Sequence, residues 1–248
     1  MSNHRETGEQ LPEQEQKKAE EKRPMAREIL GDIIMVALVA LAVILLEKFV
    51  LLNARIPSES MQNTIMVGNR IFGNRLAYRK DGPERYDIVI FKYPDDESQL
   101  FIKRVIGLPG DVIDIRDGNV YVNGDEEPLT DSFCPQEDVT ESGGLDVPFV
   151  VPDDCYFMLG DNRLHSKDSR YWEEHFVHSD KILAKAAVRY WPFNKIGLLN
   201  RSQEDFHQPP QADPELVSEV LAQETSGSYD PDEVEFAEIE DFDLFEEF

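Results

Sequence analysis

A long apolar run near the N-terminus constrains the fold of this chain more than any other feature. The run is unbroken over residues 33–46, and it extends over residues 29–52 with Asp32, Glu47 and Lys48 as interruptions. As a helix, the unbroken part is too short to cross a hydrocarbon core of about 30 Å, whereas the full stretch is long enough. The charged side chains at its ends can extend to the interface. The sequence therefore predicts one transmembrane helix over residues 29–52.

Two other interpretations of the run stay open at this point. A cleavable signal peptide is also apolar, but a polar lead-in of 28 residues is long for one, and no small-x-small cleavage site follows directly. A buried core helix of a soluble protein is the other alternative. We favour the membrane span.

Basic residues are concentrated on the N-terminal side of the run, and positively charged flanks stay in the cytoplasm. We therefore expect a cytoplasmic N-terminus, with the chain from Asn53 onward outside the membrane. The basic residues are Lys17, Lys18, Lys22, Arg23 and Arg27 before the run, and Lys48 and Arg55 after it.

Both ends of the chain are too polar to predict a packed core. Residues 1–28 are rich in Glu, Gln and Lys, and residues 201–248 carry 16 acidic residues against one basic residue. Such segments cannot offset the entropy of their own ordering. We expect a disordered cytoplasmic tail over residues 1–28 and an acidic, disordered tail over residues 201–248, in which residues 214–223 are compatible with a brief helix.

Charge and cysteine content exclude several classes of function. The 248 residues include 25 basic and 50 acidic ones, for a formal net charge of −25. Nucleic-acid binding needs clustered Lys and Arg on the phosphates, so we expect no nucleic-acid partner. Cys134 and Cys155 are too few for a four-cysteine zinc site, and the histidines lack ligand spacing. We expect no metal and no cofactor.

Between the tails, short apolar runs alternate with tight turns. Asp117-Gly118 separates two runs and is a strong hairpin signal, because both positions tolerate positive φ. Asn123-Gly124 marks a second turn. We therefore expect a mainly β, antiparallel domain over residues 53–200. Its predicted strands are residues 87–92, 101–106, 111–116, 120–122, 156–159 and 182–191.

Three short polar stretches of this domain contain side chains suited to catalysis. Serines and Asp–Arg pairs are also common in surface turns, so each stretch alone is weak evidence. The stretches read Pro57-Ser58-Glu59-Ser60-Met61, then Lys103-Arg104-Val105-Ile106-Gly107-Leu108-Pro109-Gly110-Asp111, and finally Gly160-Asp161-Asn162-Arg163 followed by Ser166-Lys167-Asp168-Ser169-Arg170.

Lys103 is the most informative residue of the second stretch. Strand alternation places it on one face with Phe101 and Val105, and places Arg104 on the opposite face. A lysine on an apolar face loses hydration, which lowers its pKa and lets it act as a base near neutral pH. A surface lysine is the alternative reading.

Together, in this order and behind an N-terminal anchor, the three stretches resemble the type I signal peptidases of peptidase family S26. These are membrane-anchored Ser/Lys endopeptidases that remove signal peptides from exported proteins. The resemblance covers residues 29–200. It implies an antiparallel, barrel-like β-sheet catalytic domain behind a single transmembrane helix.

The resemblance also implies the mechanism. Ser60 matches the nucleophile and Lys103 the general base, and the reaction passes through an acyl-enzyme after small residues in an Ala-x-Ala type site. Ser58, with the backbone N–H of Ser60, matches the oxyanion site. The remaining matches are Ser166, which orients the lysine, and the supporting ion pair of Asp168 and Arg170.

The partners implied are the signal peptides of exported preproteins, membrane lipid and the protein export machinery. The implied location is the cell membrane, with a single span.

A Ser60, His165 and Asp168 triad is a less favoured reading, since His165 stands at a variable position of the family pattern. Two rivals are a non-catalytic membrane-tethered assembly factor, which would be expected to lack the serine or the lysine, and a cytosolic self-cleaving repressor, which needs a DNA-binding domain.

This chain departs from the family pattern near the nucleophile. The family has x-Pro-Thr where Gln62-Asn63-Thr64 stands, which leaves the local turn geometry open. Cys134 and Cys155 are equally compatible with a disulfide outside the cell and with two buried thiols.

Overall fold

The computed structural model describes residues 13–130, 132–134, 139–199 and 207–226, with side chains from Ile29 to Glu224 within those ranges. Two helices and eleven strands make up these parts of the chain. They are α1 (Glu13–Phe49), β1 (Leu51–Arg55), β2 (Arg70–Asn74), β3 (Ile88–Tyr93), β4 (Asp96–Gly107), β5 (Val112–Arg116), β6 (Asn119–Val122), β7 (Phe149–Val150), β8 (Cys155–Leu159), β9 (Val177–His178), β10 (Ile182–Trp191), β11 (Gly197–Leu198) and α2 (Pro214–Ser226).

Helix α1 contains the predicted membrane span, with one correction to the end of the span and one to the segment before it. The span is Ile29–Phe49, with a mean hydropathy of 2.9 and no buried part. Leu51 and Leu52 belong to strand β1, where Leu52 is buried. The sequence did not separate these two residues from the span, because an apolar residue suits a strand core as well as a bilayer. Residues 13–28, predicted to be disordered, are helical, since Glu, Gln, Lys and Ala have high helix propensity. Residues 1–12 of that predicted tail lie outside the described residues.

The larger sheet has eight strands, seven of them in the order β1-β2-β10-β3-β4-β8-β9, and the eighth, β11, pairs with β10. Every pairing is antiparallel. Two apolar cores pack against it, one around Ile65, Ile90 and Ile102 and one around Phe91 and Trp172. The mainly β, antiparallel fold predicted behind one N-terminal helix is therefore confirmed.

The smaller sheet has the order β6-β5-β7 and packs on the end of the larger one. Asp117 and Gly118 join β5 to β6 with φ values of 50° and 78°, which confirms the predicted hairpin turn. Ile113 of this sheet shares a core with Ile106 of β4 and Phe157 of β8. The end of the lysine-bearing strand is thus buried between the two sheets.

The acidic C-terminal segment is ordered in part, contrary to the predicted disordered tail. Residues 207–226 lie along the smaller sheet, and α2 buries Val220 against it. The backbone carbonyls of His207 and Pro210 accept hydrogen bonds from Tyr86 and Asn123. The net charge of the segment did not predict this docking. The apolar residues of α2 are spaced for one helix face, and net charge does not report such spacing. The rest of the predicted tail, residues 201–206 and 227–248, lies outside the described residues.

Candidate active site

Ser60 and Lys103 meet in the interior although 43 positions separate them in the chain. Ser60 lies in the loop that follows β1, and Lys103 lies in the middle of β4. Lys103 Nζ donates a hydrogen bond of 2.6 Å to Ser60 Oγ. The two residues are only 5% and 4% exposed. The predicted serine and the predicted lysine are therefore in direct contact.

Burial sets the electrostatics of Lys103. Loss of hydration lowers its pKa to about 8, against the opposing attraction of the Asp168 and Asp161 carboxylates, while Arg170 lowers it further. Lys103 Nζ also lies 5.5 Å from the centre of the Phe101 ring. With this pKa, Lys103 is neutral in a minority of molecules near neutral pH, and the neutral amine can accept a proton.

Ser58 is exposed and lies beside Ser60. Its Oγ is 3.4 Å from Ser60 Oγ, and the residue is exposed. An exposed hydroxyl and a buried hydroxyl thus lie side by side.

The backbone around Ser60 is held by the loop that follows β8. The Asn162 N–H donates to the Ser60 carbonyl at 3.1 Å, and Asn162 Nδ2 donates to the Glu59 carbonyl at 3.3 Å. Gly160 packs so closely that a Cβ on it would lie 2.5 Å from the Ser60 carbonyl oxygen. Only glycine fits at this contact.

Ser166 is buried next to this glycine. A Cβ on Gly160 would lie 2.5 Å from Ser166 Cβ and 2.5 Å from the Ser60 carbonyl oxygen. Ser166 is therefore close to the Ser60 backbone. Within the part of the chain that the structure describes, Ser166 Oγ makes no hydrogen bond, including none to Lys103. The structure brings Ser166 to the site without the expected contact.

Asp168 and Arg170 form a buried ion pair, with Arg170 Nε 2.8 Å from Asp168 Oδ1. The other carboxylate oxygen accepts the Gly160 N–H at 2.9 Å. Arg170 Nη2 donates to the Arg163 carbonyl at 2.7 Å. The pair therefore supports the glycine that packs on Ser60, one layer behind the contact between Ser60 and Lys103.

Sequence analysis missed a second buried ion pair, between Arg104 and Asp161. Arg104 Nε and Nη2 donate to the two carboxylate oxygens at 2.7 and 2.6 Å. Thr64 Oγ1 donates to the same carboxylate at 2.5 Å. Alternation placed Arg104 opposite Lys103, but nothing in the sequence paired it with a residue 57 positions away.

The structure decides two alternatives that the sequence leaves open, a histidine base and a disulfide. His165 is exposed and its Nδ1 lies 3.3 Å from Asn162 Oδ1, so it is not the group that meets Ser60. Cys134 and Cys155 are not joined by a disulfide.

Asn63, at the family's proline position, has a φ of 85°, which a proline ring cannot adopt. The turn after Ser60 therefore has its own geometry in this chain.

An apolar groove lies next to the chain segments that carry Ser60 and Lys103. A cavity of about 270 Å³ lies between the chain segment 52–57 and residues 100–102 of β4. Its walls include Ile56, Pro57 and Ile102, which come shortly before Ser60 and Lys103 in the chain. Since β1 pairs with β2 only and β4 pairs with β8 only from Arg104 onward, the groove separates two unpaired strand edges within the described residues.

Comparison with known proteins identifies the class to which this fold and site belong. The family described as signal peptidase, peptidase S26, matches residues 28–191. A probable signal peptidase I-2 of Synechocystis sp. is 42% identical over 175 residues, which are 68% of this chain and 76% of that protein. Signal peptidase IB of Staphylococcus aureus is 33% identical over 184 residues, 69% of this chain and 94% of the relative.

A crystal structure of a signal peptidase I from Enterococcus faecalis is 33% identical, with a TM-score of 0.35, and covers 42% of this chain and 95% of that one. From the family match and the relatives, the chain belongs to peptidase family S26 and is a membrane-anchored serine endopeptidase that cleaves signal peptides from exported preproteins.

Proposed function

We propose that Ser60 is the nucleophile and Lys103 its general base. The contact of 2.6 Å between a buried lysine and a serine hydroxyl carries this proposal. In the neutral form of the lysine, Ser60 donates its proton to Nζ as Oγ attacks the scissile carbonyl carbon. The lysine then protonates the leaving amine, and it later takes a proton from the water that hydrolyses the acyl-enzyme.

The oxyanion of the tetrahedral intermediate binds to the Ser58 hydroxyl and the Ser60 backbone N–H. The exposed position of Ser58, 3.4 Å from Ser60 Oγ, supports this role. A donor of this kind contributes about 3–4 kcal/mol to transition-state binding. Ser166 orients Lys103 once substrate is bound, and Asp168 with Arg170 holds the loop behind Ser60.

The substrate binds as an extended strand in the groove between β1 and β4. Four successive antiparallel pairings connect these strands, so both run in the same direction, and an inserted strand can use the free edge of each. The apolar walls formed by Ile56, Pro57 and Ile102 suit the small apolar side chains of an Ala-x-Ala site.

The N-terminus lies in the cytoplasm and the peptidase domain lies outside, as the basic N-terminal flank of α1 predicts. The domain extends from the end of α1 to residue 200 and contacts membrane lipid near the end of β10. Exposed apolar side chains there, Trp191, Phe193, Ile196 and Leu198, support that contact. The export machinery that delivers preproteins is a further partner.

Cleavage of a preprotein with an Ala-x-Ala site by the detergent-solubilised chain tests the mechanism. We expect Ser60→Ala and Lys103→Ala each to lower kcat by about a thousandfold or more while the fold remains. Lys92→Ala, which removes an exposed lysine of β3, is the matched control and stays active. Normal cleavage by Lys103→Ala would disprove the proposed base.

A further inference from the structure

Tyr86 has a strained backbone at a position between β4 and the docked segment 207–226. Its φ is 70°, in the left-handed region that glycine adopts without strain and that is unfavourable for a large aromatic residue. The residue is only 3% exposed. A backbone strained in this way persists only where the surrounding contacts hold it. The contacts of Tyr86 therefore indicate what keeps it in this conformation.

The backbone of Tyr86 is bonded to the part of β4 that follows Lys103. The Tyr86 N–H donates to the Val105 carbonyl at 2.8 Å. The Tyr86 carbonyl accepts a hydrogen bond from Arg104 Nη1, also at 2.8 Å. Lys103 immediately precedes these two residues of β4. A displacement of Tyr86 is therefore transmitted to the lysine over one or two residues of the same strand.

The side chain of Tyr86 is bonded to the docked segment. Its hydroxyl donates to the His207 carbonyl at 3.0 Å. His207 is itself held on the domain, because its N–H donates to Thr130 Oγ1 at 3.2 Å and its Nε2 lies 2.7 Å from Asp125 Oδ2. The start of the docked segment thus fixes the end of the Tyr86 side chain.

Arg85 gives the docked segment a second connection to β4. Asn123 Nδ2 donates to the Pro210 carbonyl at 2.8 Å and to Asp111 Oδ1 at 2.9 Å. Asp111 pairs with Arg85 at 2.9 Å, and Arg85 Nη1 donates to the Ile106 carbonyl at 2.5 Å. Both connections therefore end on the part of β4 that follows the lysine.

From these contacts we propose that Tyr86 is a positioning residue, through which the docked segment 207–226 holds Lys103 in contact with Ser60. Release of the segment lets Tyr86 and β4 move, which loosens that contact and admits water to the amine. The released enzyme still binds substrate but reacts more slowly. The inference rests on the proposed function, because it takes Lys103 as the base.

Tyr86→Phe in the full chain tests the proposal, because it removes the hydroxyl and keeps the ring in the core. On a soluble peptide with an Ala-x-Ala site, we expect kcat to fall about fivefold and KM to stay within about twofold of the parent. Tyr121→Phe, which removes a half-buried hydroxyl from β6, is the matched control and keeps the parent kcat. An unchanged kcat in Tyr86→Phe would overturn the proposal.

The pH profile separates positioning from a loss of folded enzyme. Water that reaches Lys103 raises its pKa from about 8, so we expect the midpoint of kcat/KM to move to higher pH in Tyr86→Phe. The charged groups that act on the lysine are Asp168, Asp161 and Arg170, and the substitution removes none of them. A smaller folded fraction lowers the rate at every pH and leaves the midpoint in place. A lower kcat with an unchanged midpoint would contradict the positioning role.

A release variant shows whether Tyr86 acts through the docked segment. It combines His207→Ala, which removes the pair with Asp125, and Val220→Asp, which puts a charge on the packed face of α2. Cleavage within residues 207–226 by a glutamate-specific protease measures the release. We expect this variant to lose at least as much kcat as Tyr86→Phe, and we expect no further loss when the two are combined. Losses that multiply would show that Tyr86 acts independently of the segment, against the proposal.

Lys103→Ala distinguishes failure of this inference from failure of the proposed function. If Lys103→Ala still cuts the peptide, the proposed base is wrong and the inference falls with it. If Lys103→Ala is inactive while Tyr86→Phe and the release variant both match the parent, the proposed function stands and only the inference is overturned.

Discussion

At the scale of single residues, the site depends on a lysine that the fold keeps out of water. Lys103 lies on a strand face with Phe101 and Val105, and its hydrogen bond goes to the group that it would deprotonate. Two carboxylates, Asp161 and Asp168, raise its pKa again and so limit the effect of burial. The balance leaves a base that is mostly protonated at neutral pH and mostly neutral in mild alkali.

This balance predicts the pH dependence of activity. With a pKa of about 8 for Lys103, kcat/KM rises as pH increases through about 8, and well below that value it falls about tenfold per pH unit. The direction follows because only the neutral amine accepts the Ser60 proton. Initial rates on a soluble peptide between mildly acid and alkaline pH measure it. A flat profile across pH 8 would contradict the assignment.

Gly160 permits a second prediction at this scale. Gly160→Ala brings a methyl group within 2.5 Å of the Ser60 carbonyl oxygen, so the backbone must shift. We expect a loss of about 1–3 kcal/mol in the free energy of unfolding and a larger proportional loss in kcat. Gly197→Ala is the control, because nothing lies within 4 Å of its added Cβ. Equal behaviour of the two variants in urea unfolding and peptide cleavage would refute the close packing.

At the scale of elements, the Arg104–Asp161 pair joins strand β4 to the loop after β8, on the face opposite Lys103. Asp161 is fully buried, and Thr64 donates to it from the loop that follows Ser60. The pair therefore links the two chain segments that carry the proposed base and nucleophile.

Breaking this pair has a predictable cost. Arg104→Met leaves the Asp161 carboxylate buried without its charge partner, so we expect a loss of about 3–5 kcal/mol in the free energy of unfolding. Lys92→Met removes one partner of the exposed Lys92–Glu97 pair and should cost less than about 1 kcal/mol. Urea unfolding of both variants measures the difference. Similar midpoints would show that Arg104 contributes no more than a surface pair.

Much of this element structure could be predicted from local signals. The alternation around Lys103 and the Asp117-Gly118 turn depend on neighbouring residues, and both are confirmed. The end of the membrane helix could not be predicted, since Leu52 is equally apolar in a bilayer and in a strand core. The partners of Arg104, and the absence of a Ser166 hydrogen bond among the described residues, depend on tertiary packing, about which local pattern carries no information.

At the scale of the whole molecule, the docked segment 207–226 extends the structure beyond the region that the family match covers. It contacts the smaller sheet through Val220 and through the Asp125–His207 pair, whose atoms are 2.7 Å apart. Asn123, which donates to Pro210, also donates to Asp111, and Asp111 pairs with Arg85. The segment is thus connected to the packing of the two sheets.

This connection predicts that α2 stabilises the folded domain. Val220→Asp places an unpaired carboxylate at a position that is 2% exposed, and we expect a lower midpoint of thermal unfolding, by several degrees. Leu221→Asp, at a neighbouring residue that is 44% exposed, is the matched control and should unfold near the parent midpoint. If the two variants unfold together, α2 does not pack on the sheet in solution.

The position of the docked segment also sets an order of events in time. With the topology proposed above, residues 207–226 follow the peptidase body in the chain and therefore cross the membrane after it. The smaller sheet stays uncovered while they are still in transit, because the helix that buries Val220 has not arrived. On this topology, the packing of the smaller sheet is completed only after residue 226 has crossed the membrane.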